Sequence, residues 1–264
     1  MKTGFIGLGN MAKAMIGGML AKKIAKPEDI LGYAKTEETR NAVKEKYQIC
    51  ILENNCKVAE EADVLILAVK PQMFDEVINQ IKDSISTDTL VISIAAGKTM
   101  DQIQKAFGTH LKLVRCMPNT PAMVGEGCSG ACRNEMVSDE EMDKCIRLLG
   151  SFGTVKEVPE GMMDAVGGVS GSSPAFVFMF IEALADGAVR AGMPRKLAYQ
   201  FAAQTVYGSA KLMLETGMHP GELKDMVCSP SGTTIEGVRT LEEMGFRSAV
   251  INAVGACVEK SKKL

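Results

Sequence analysis

The sequence predicts an α/β protein, with a doubly wound parallel sheet over residues 1–158 and an all-α C-terminal domain over residues 159–264. Three observations predict it. Short apolar runs alternate with helical patterns as far as Val158. Residues 64–69 are apolar without alternation, as in a strand covered by helices on both faces. Beyond Val158 the alternation stops and helical patterns fill the chain.

The strand candidates are residues 4–6, 30–33, 49–51, 64–69, 90–94 and 113–117, and a last short one over 154–158 closes the domain before Pro159 and Gly161. Helical faces fill the gaps. Met11, Met15 and Met19 recur at four-residue spacing, and Phe74, Val77, Ile78 and Ile81 keep the same rhythm. Ser138 and Glu141 form a capping box, with Gly150 as the stop. In the second half Pro174 opens a helix ending at Gly192, and Pro194 one ending near Gly217, because proline suits the first helical turn and glycine the position after the last. Further helices cover 223–227, 234–244 and 247–260.

With 264 residues, 46% of them hydrophobic, the chain can build two modest domains or one large one without staples. A net charge of -2 leaves no basic footprint for nucleic acid and no cationic cluster for an anionic membrane. The eight cysteines are scattered and read as free thiols in a reducing compartment. Cys128 and Cys132 have no second pair at zinc spacing, and imidazole is available only from His110 and His219, so no metal is expected. Gly7, Gly9, Lys13, Gly17 and Gly18 break up the apolar N-terminus, which is therefore not read as a signal peptide. The stretch 175–184 is shorter than a membrane-spanning helix and contains Glu182. The expectation is a cytoplasmic protein working on a small molecule, with neither nucleic acid nor membrane as partner.

The most specific local feature is Gly7-Leu8-Gly9-Asn10-Met11-Ala12, between the first strand and the first helix. Gly7 permits the tight turn, Gly9 lets a pyrophosphate approach the backbone, and Ala12 allows close packing of helix on strand. This is the Rossmann-type arrangement, in which an anion faces unpaired amides and the positive end of the helix dipole. The end of the second strand selects the cofactor. Ala34-Lys35-Thr36 offers no carboxylate to a ribose hydroxyl, while Lys35, Thr36 and Arg40 suit a 2′-phosphate, so NADP (NADPH) is favoured, with NADH as the alternative because Glu37 and Glu38 lie nearby. Val69-Lys70-Pro71 and Ala95-Ala96-Gly97 end the fourth and fifth strands at the same edge, where small residues leave room for the nicotinamide half. Lys70 reads equally as catalytic or structural.

Two segments of the second half, 167–174 and 229–234, are small-residue turns ahead of helices. Their amides and hydroxyls suit a substrate carboxylate, or equally plain helix capping. Phe5-Ile6-Gly7-Leu8-Gly9-Asn10-Met11, Ala68-Val69-Lys70-Pro71-Gln72, Met117-Pro118-Asn119-Thr120-Pro121, Ser170-Gly171-Ser172-Ser173-Pro174-Ala175, Ala183-Leu184-Ala185-Asp186-Gly187 and Val227-Cys228-Ser229-Pro230-Ser231-Gly232-Thr233-Thr234 follow one another in an order that resembles the pyrroline-5-carboxylate reductase family over essentially the whole chain. Ser231 and Ser173 stand where that family usually has glycine.

The resemblance implies hydride transfer from the nicotinamide to the imine of 1-pyrroline-5-carboxylate, giving proline, in a dimer or larger homo-oligomer whose partner subunit contributes to the substrate site. It implies that Ile6, Gly7, Leu8, Gly9, Asn10, Met11, Lys35, Thr36, Asn55, Ala68, Val69, Lys70, Pro71, Ala95 and Gly97 bind the cofactor. Thr234 matches the threonine that contacts the ring nitrogen; Ser231, Gly232 and Thr233 match the carboxylate-binding turn. Met117, Asn119, Thr120 and Pro121 line the pocket floor, and Glu160 matches a substrate-facing position. Two rival readings are a 3-hydroxyacid dehydrogenase, for which Lys196 or Lys211 would be the acid-base group, and a non-catalytic dinucleotide sensor. Neither explains the 229–234 segment.

Overall fold

The structure, a computed structural model, describes residues 1–263. The strands are β1 (Thr3–Ile6), β2 (Ile30–Tyr33), β3 (Cys50–Ile51), β4 (Val64–Leu67), β5 (Leu90–Ser93), β6 (Lys112–Met117), β7 (Gly127–Arg133) and β8 (Gly153–Glu157), and they form one sheet in the order β3-β2-β1-β4-β5-β6-β7-β8. The helices are α1 (Asn10–Ala21), α2 (Glu37–Tyr47), α3 (Asn55–Glu61), α4 (Phe74–Ile81), α5 (Met100–Phe107), α6 (Asp139–Leu149), α7 (Met163–Val166), α8 (Ser173–Arg190), α9 (Arg195–Thr216), α10 (Pro220–Val227), α11 (Thr233–Glu243) and α12 (Phe246–Ser261).

From β3 to β6 every neighbour is parallel. Parallel strands need crossovers, which α1 to α5 supply, and these helices cover both faces of the sheet. Alternate residues of each strand therefore enter separate apolar layers. Phe5, Ile66, Ile92 and Val114 pack with Met15, Ile16 and Met19 of α1, while Ile6, Leu65, Leu67 and Val91 pack with Val77, Ile78 and Ile81 of α4. Residues 64–67 show no polar alternation because neither side of β4 meets water.

The sequence pattern does not announce β7. Gly127-Cys128-Ser129-Gly130-Ala131-Cys132-Arg133 has no branched or aromatic side chain, the usual mark of a strand. Its small residues answer to close packing instead. A Cβ on Gly130 would stand 2.8 Å from Val166 Cγ1, and one on Gly127 would stand 2.9 Å from the Phe152 carbonyl oxygen. β7 runs antiparallel to β6, with Met117 opposite Gly130, and parallel to β8. The sheet is accordingly mixed at this edge, while the parallel, doubly wound order that the sequence predicts holds from β3 to β6.

The chain divides into two compact units, Met1–Ser172 together with the end of α12 from Cys257, and Ser173–Ala256. The sequence places the division at 158/159. The contacts place it later because α7 and the turn after it pack on β7 through Val166. The segment Gly167–Ser172 is itself a correction. It forms a wide π-helical turn within one helical run, Glu160–Arg190, so its amides do not front a helix start and Pro174 does not open the helix. By length and composition that run suffices to cross a membrane, which 175–184 alone does not.

In the second unit α9 follows Pro194 and stops at Gly217, whose φ of 66° is the left-handed conformation that suits glycine. Its buried cluster consists of Ala185, Ala198 and Ala202, while Phe178, Met179, Phe201, Leu214 and Ile251 are exposed. The first unit thus holds the large buried core. Truncating the fully buried Ile66 at its centre, by Ile66→Ala, should cost about 2–5 kcal/mol, read as a lower urea midpoint at an unchanged slope.

Candidate active site

β1 and β4 end side by side, Ile6 level with Leu67, and the turn after β1 is built on glycine. Gly7 has φ +92°, and its amide donates to the Tyr33 carbonyl at 2.9 Å. A Cβ there would lie 2.5 Å from the Ala68 carbonyl oxygen, so both backbone angle and space demand glycine. Gly9 differs. It caps α1, and a Cβ on it would meet nothing within 4 Å. The protein's own packing does not require glycine at that point; the room it leaves lies in front of the first amides of α1.

Those amides have no side-chain cap, and the first turn of α1 holds no acidic residue. By contrast, α5 and α6 are closed by capping boxes, Thr99 with Gln102 and Ser138 with Glu141, the second as the sequence predicts. An uncapped start with open space before it fits a phosphate. Alongside runs a cavity of about 410 Å³ lined by Ile6, Gly7, Lys35, Asn55, Ala68, Val69 and Lys70. The residues present fit a dinucleotide at this edge.

The remaining predicted cofactor residues divide by what they expose. Ile6, Leu8 and Ala95 are buried, so only backbone is on offer, and Leu8 packs against Gly32 of β2. Met11 lies against the core, Pro71 opens a short 3-10 turn, and Gly97 takes φ 75°. Asn55 donates through Nδ2 to Gln80 Oε1 at 2.8 Å. At the end of β2, Thr36 donates to Thr39, and the Arg40 guanidinium lies 5.4 Å from the Tyr33 ring centroid. Its Nη1 donates to the carbonyls of Ala34 (2.7 Å) and Lys35 (3.1 Å), which holds a positive charge beside the exposed Lys35. In the sequence Arg40 is only a charge; its anchoring beside Tyr33 has no linear signature.

Met117 ends β6, and Thr120 and Pro121 begin the short helix Thr120–Val124 that follows. Asn119 is buried between them, and both ends of its carboxamide are hydrogen-bonded within the first unit. Glu160 Oε1 accepts from the Met100 amide at 2.7 Å and from Arg115 Nη1 at 3.3 Å. It thereby braces the start of α5, just after the Gly97 turn, a tie that needs the tertiary fold to be seen.

In the second unit, α11 begins after Gly232 without a side-chain cap, so the amides of its first turn are unclaimed and Thr233 and Thr234 stand beside them. Gly232 donates to the Ser229 carbonyl at 3.0 Å, and a Cβ on it would collide with the Ser229 hydroxyl. Ser231 takes φ 58°, a left-handed conformation natural to glycine.

Among the described residues no group of three or more His, Cys, Asp or Glu is placed to hold a metal ion. Cys128 is exposed and Cys132 buried, four residues apart on one strand. That is about 13 Å of extended chain, beyond disulfide reach. Burial pushes the Cys132 thiol up to about 11 and Cys145 to about 12, and raises Cys116 well above its ordinary value. A raised thiol pKa keeps the unreactive protonated form. Alkylation at pH 8 followed by mass spectrometry should therefore label Cys128 and spare Cys116, Cys132 and Cys145 until denaturant is added; native labelling of any of the three would contradict this.

A central β1 flanked by β2 and β4, with a glycine-framed turn at the strand ends, is the arrangement of a dinucleotide-binding type of first unit. Residues 2–97 accordingly match the family model for NADP oxidoreductase, coenzyme F420-dependent, and residues 160–264 match that for pyrroline-5-carboxylate reductase dimerisation. The chain is 51% identical over 263 residues to the pyrroline-5-carboxylate reductase of Escherichia coli (strain K12), covering 100% of this chain and 98% of that protein. It is 46% identical to the one of Methanosarcina acetivorans, over 100% of this chain and 97% of that protein. Among solved structures, the Plasmodium falciparum pyrroline carboxylate reductase with NADP bound superposes with a TM-score of 0.90 at 34% identity, covering 99% of this chain and 97% of that one. The Coxiella burnetii pyrroline-5-carboxylate reductase gives 0.93 at 34% identity, with the same coverage of both chains. The chain belongs to the pyrroline-5-carboxylate reductase family.

Proposed function

We propose that this chain reduces the C=N bond of 1-pyrroline-5-carboxylate to give L-proline, the last step of proline biosynthesis, with NADPH preferred over NADH. The observation that carries the reading is the 51% identity over 263 residues, which spans both units, so that cofactor and substrate elements come from one family together. The bound dinucleotide supplies a hydride. Gly7, Gly9 and the first amides of α1 hold its pyrophosphate; Ala68 to Pro71, Ala95 and Gly97 flank its nicotinamide half, and Asn55 its adenosine half. Lys35, Thr36 and Arg40 receive the 2′-phosphate that distinguishes NADPH.

An imine carbon is already electrophilic, so the protein's task is mainly to orient and to exclude water. The backbone amides of residues 231–233 bind the substrate carboxylate. The Thr234 hydroxyl donates to the ring nitrogen as imine becomes amine. Met117, Thr120 and Pro121 form the floor, with Asn119 behind them, and Glu160 braces the turn after Gly97. The apolar faces of α8, α9 and α12 pack against a second copy of the chain, and the assembly works in the cytoplasm.

Following NADPH oxidation at 340 nm tests the activity, with a 3-hydroxyacid plus NADP as the parallel arm; turnover of the hydroxyacid alone would overturn it. Thr234→Val should lower turnover about tenfold to a thousandfold with cofactor affinity nearly intact, and wild-type turnover would remove Thr234 from the mechanism. Reversing the charge at Lys35 should lower kcat/KM with NADPH about tenfold or more while NADH changes less than about threefold. Equal losses with both cofactors in Lys35→Glu would refute the phosphate contact.

A further inference from the structure

Asn119 joins three segments of the first unit. Its Nδ2 donates to the Ser170 carbonyl at 3.0 Å, its Oδ1 accepts from the Cys128 amide at 2.8 Å, and its own carbonyl accepts from the Ala122 amide at 3.1 Å. The residue is 7% exposed, so these bonds are shielded from competing water. Its partners are the turn after β6, the start of β7, and the π-helical turn Gly167–Ser172.

Ser170 explains why a side chain is needed. Past the π-helical turn the run returns to α-helical register, in which the carbonyl of residue 170 would take the amide of residue 174, and residue 174 is Pro174, which has none. The helical run widens at this point rather than ending, and the Asn119 carboxamide presents a donor to the carbonyl that proline leaves without one. Met117, two residues before Asn119, is fitted to the same turn: a Cβ on Gly167 would stand 3.1 Å from its Cε. One short stretch of chain thus meets the turn twice, by a hydrogen bond and by a glycine-sized contact.

We infer that Asn119 is a positioning residue: its side chain replaces the amide that Pro174 lacks, and so fixes the substrate floor at residues 117–121 against the Gly167–Ser172 turn. The inference rests on the reading of that floor given above. In this reading Asn119 acts through its neighbours: one bond at each end of its carboxamide ties it to Ser170 and Cys128.

Asn119→Asp tests this, because the isosteric carboxylate keeps the acceptor for Cys128 and faces the Ser170 carbonyl with an oxygen instead of a donor. KM for pyrroline-5-carboxylate should rise about tenfold or more, while the NADPH Kd from quenching of its fluorescence moves less than about twofold. Adding Pro174→Ala returns an amide to Ser170 and should recover most of the lost affinity, though Pro174→Ala alone changes KM less than about threefold. Amide exchange over 167–172 should quicken in Asn119→Asp and slow again in the double variant. An unchanged KM, a parallel loss of substrate and cofactor binding, or no recovery with Pro174→Ala would each overturn the inference. If Asn119→Asp does not fold, rescue of folding by Pro174→Ala supports it and absence of rescue refutes it. A wild-type chain that fails to reduce the imine ends the activity reading instead, and the exchange rates then decide on Asn119 alone.

Discussion

The placement of β1 between β2 and β4 is the constraint from which the rest of the first unit follows. Chain leaving β1 passes to one side and chain leaving β3 returns to the other, so the two directions of winding part at the end of β1. Where they part, the chain turns at Gly7 so close to β4 that a Cβ there would stand 2.5 Å from the Ala68 carbonyl oxygen. That turn aims the bare amides of α1 along the strand edge, and Ala34, Lys35, Val69 and Lys70 reach the same edge because parallel strands end at the same level. The residues that line this edge are gathered by topology, although they lie far apart in sequence.

What was legible in the sequence is what burial and backbone geometry enforce at short range. The unbroken apolar run at β4, the methionine face of α1, the Ser138 box and the Gly217 stop each express one local rule, and each stands where the pattern puts it. β7 was not legible, because its glycines and small residues are selected by Val166 and Phe152, which lie distant in sequence. The turn at 167–172 departs from its sequence pattern for a similar reason. Glycine and proline usually mark an end, but here the helix widens through them, and a side chain from residue 119 supplies the missing donor. The ties of Glu160 to Arg115 and of Arg40 to Tyr33 were equally hidden, since a hydrogen bond between distant elements leaves no periodicity behind.

The second unit presents the opposite imbalance. Three alanines make up its buried cluster, whereas phenylalanines, leucines and methionines face outward along α8, α9 and α12. Alanine-on-alanine contact lets two helices approach closely but removes little apolar area from water, and at about 25 cal/mol per Å² such burial does not offset the ordering of long helices. The larger side chains need another surface. The match of residues 160–264 to a dimerisation model gives that need a family context, and it fits a membrane-length apolar run in a chain that also has a well-buried sheet.

Ser231 shows how far such a site tolerates substitution. Its φ of 58° costs a residue with a Cβ of order 1 kcal/mol relative to glycine. One residue later the constraint is of another kind: a Cβ on Gly232 would stand 2.3 Å from the Ser229 hydroxyl oxygen, so that side chain would have to turn aside. Residue 231 therefore carries its cost in backbone strain, whereas a side chain at residue 232 would have to displace the Ser229 hydroxyl and press on the Ser229 carbonyl at 3.1 Å, and the two positions separate strain in the backbone from crowding between neighbours.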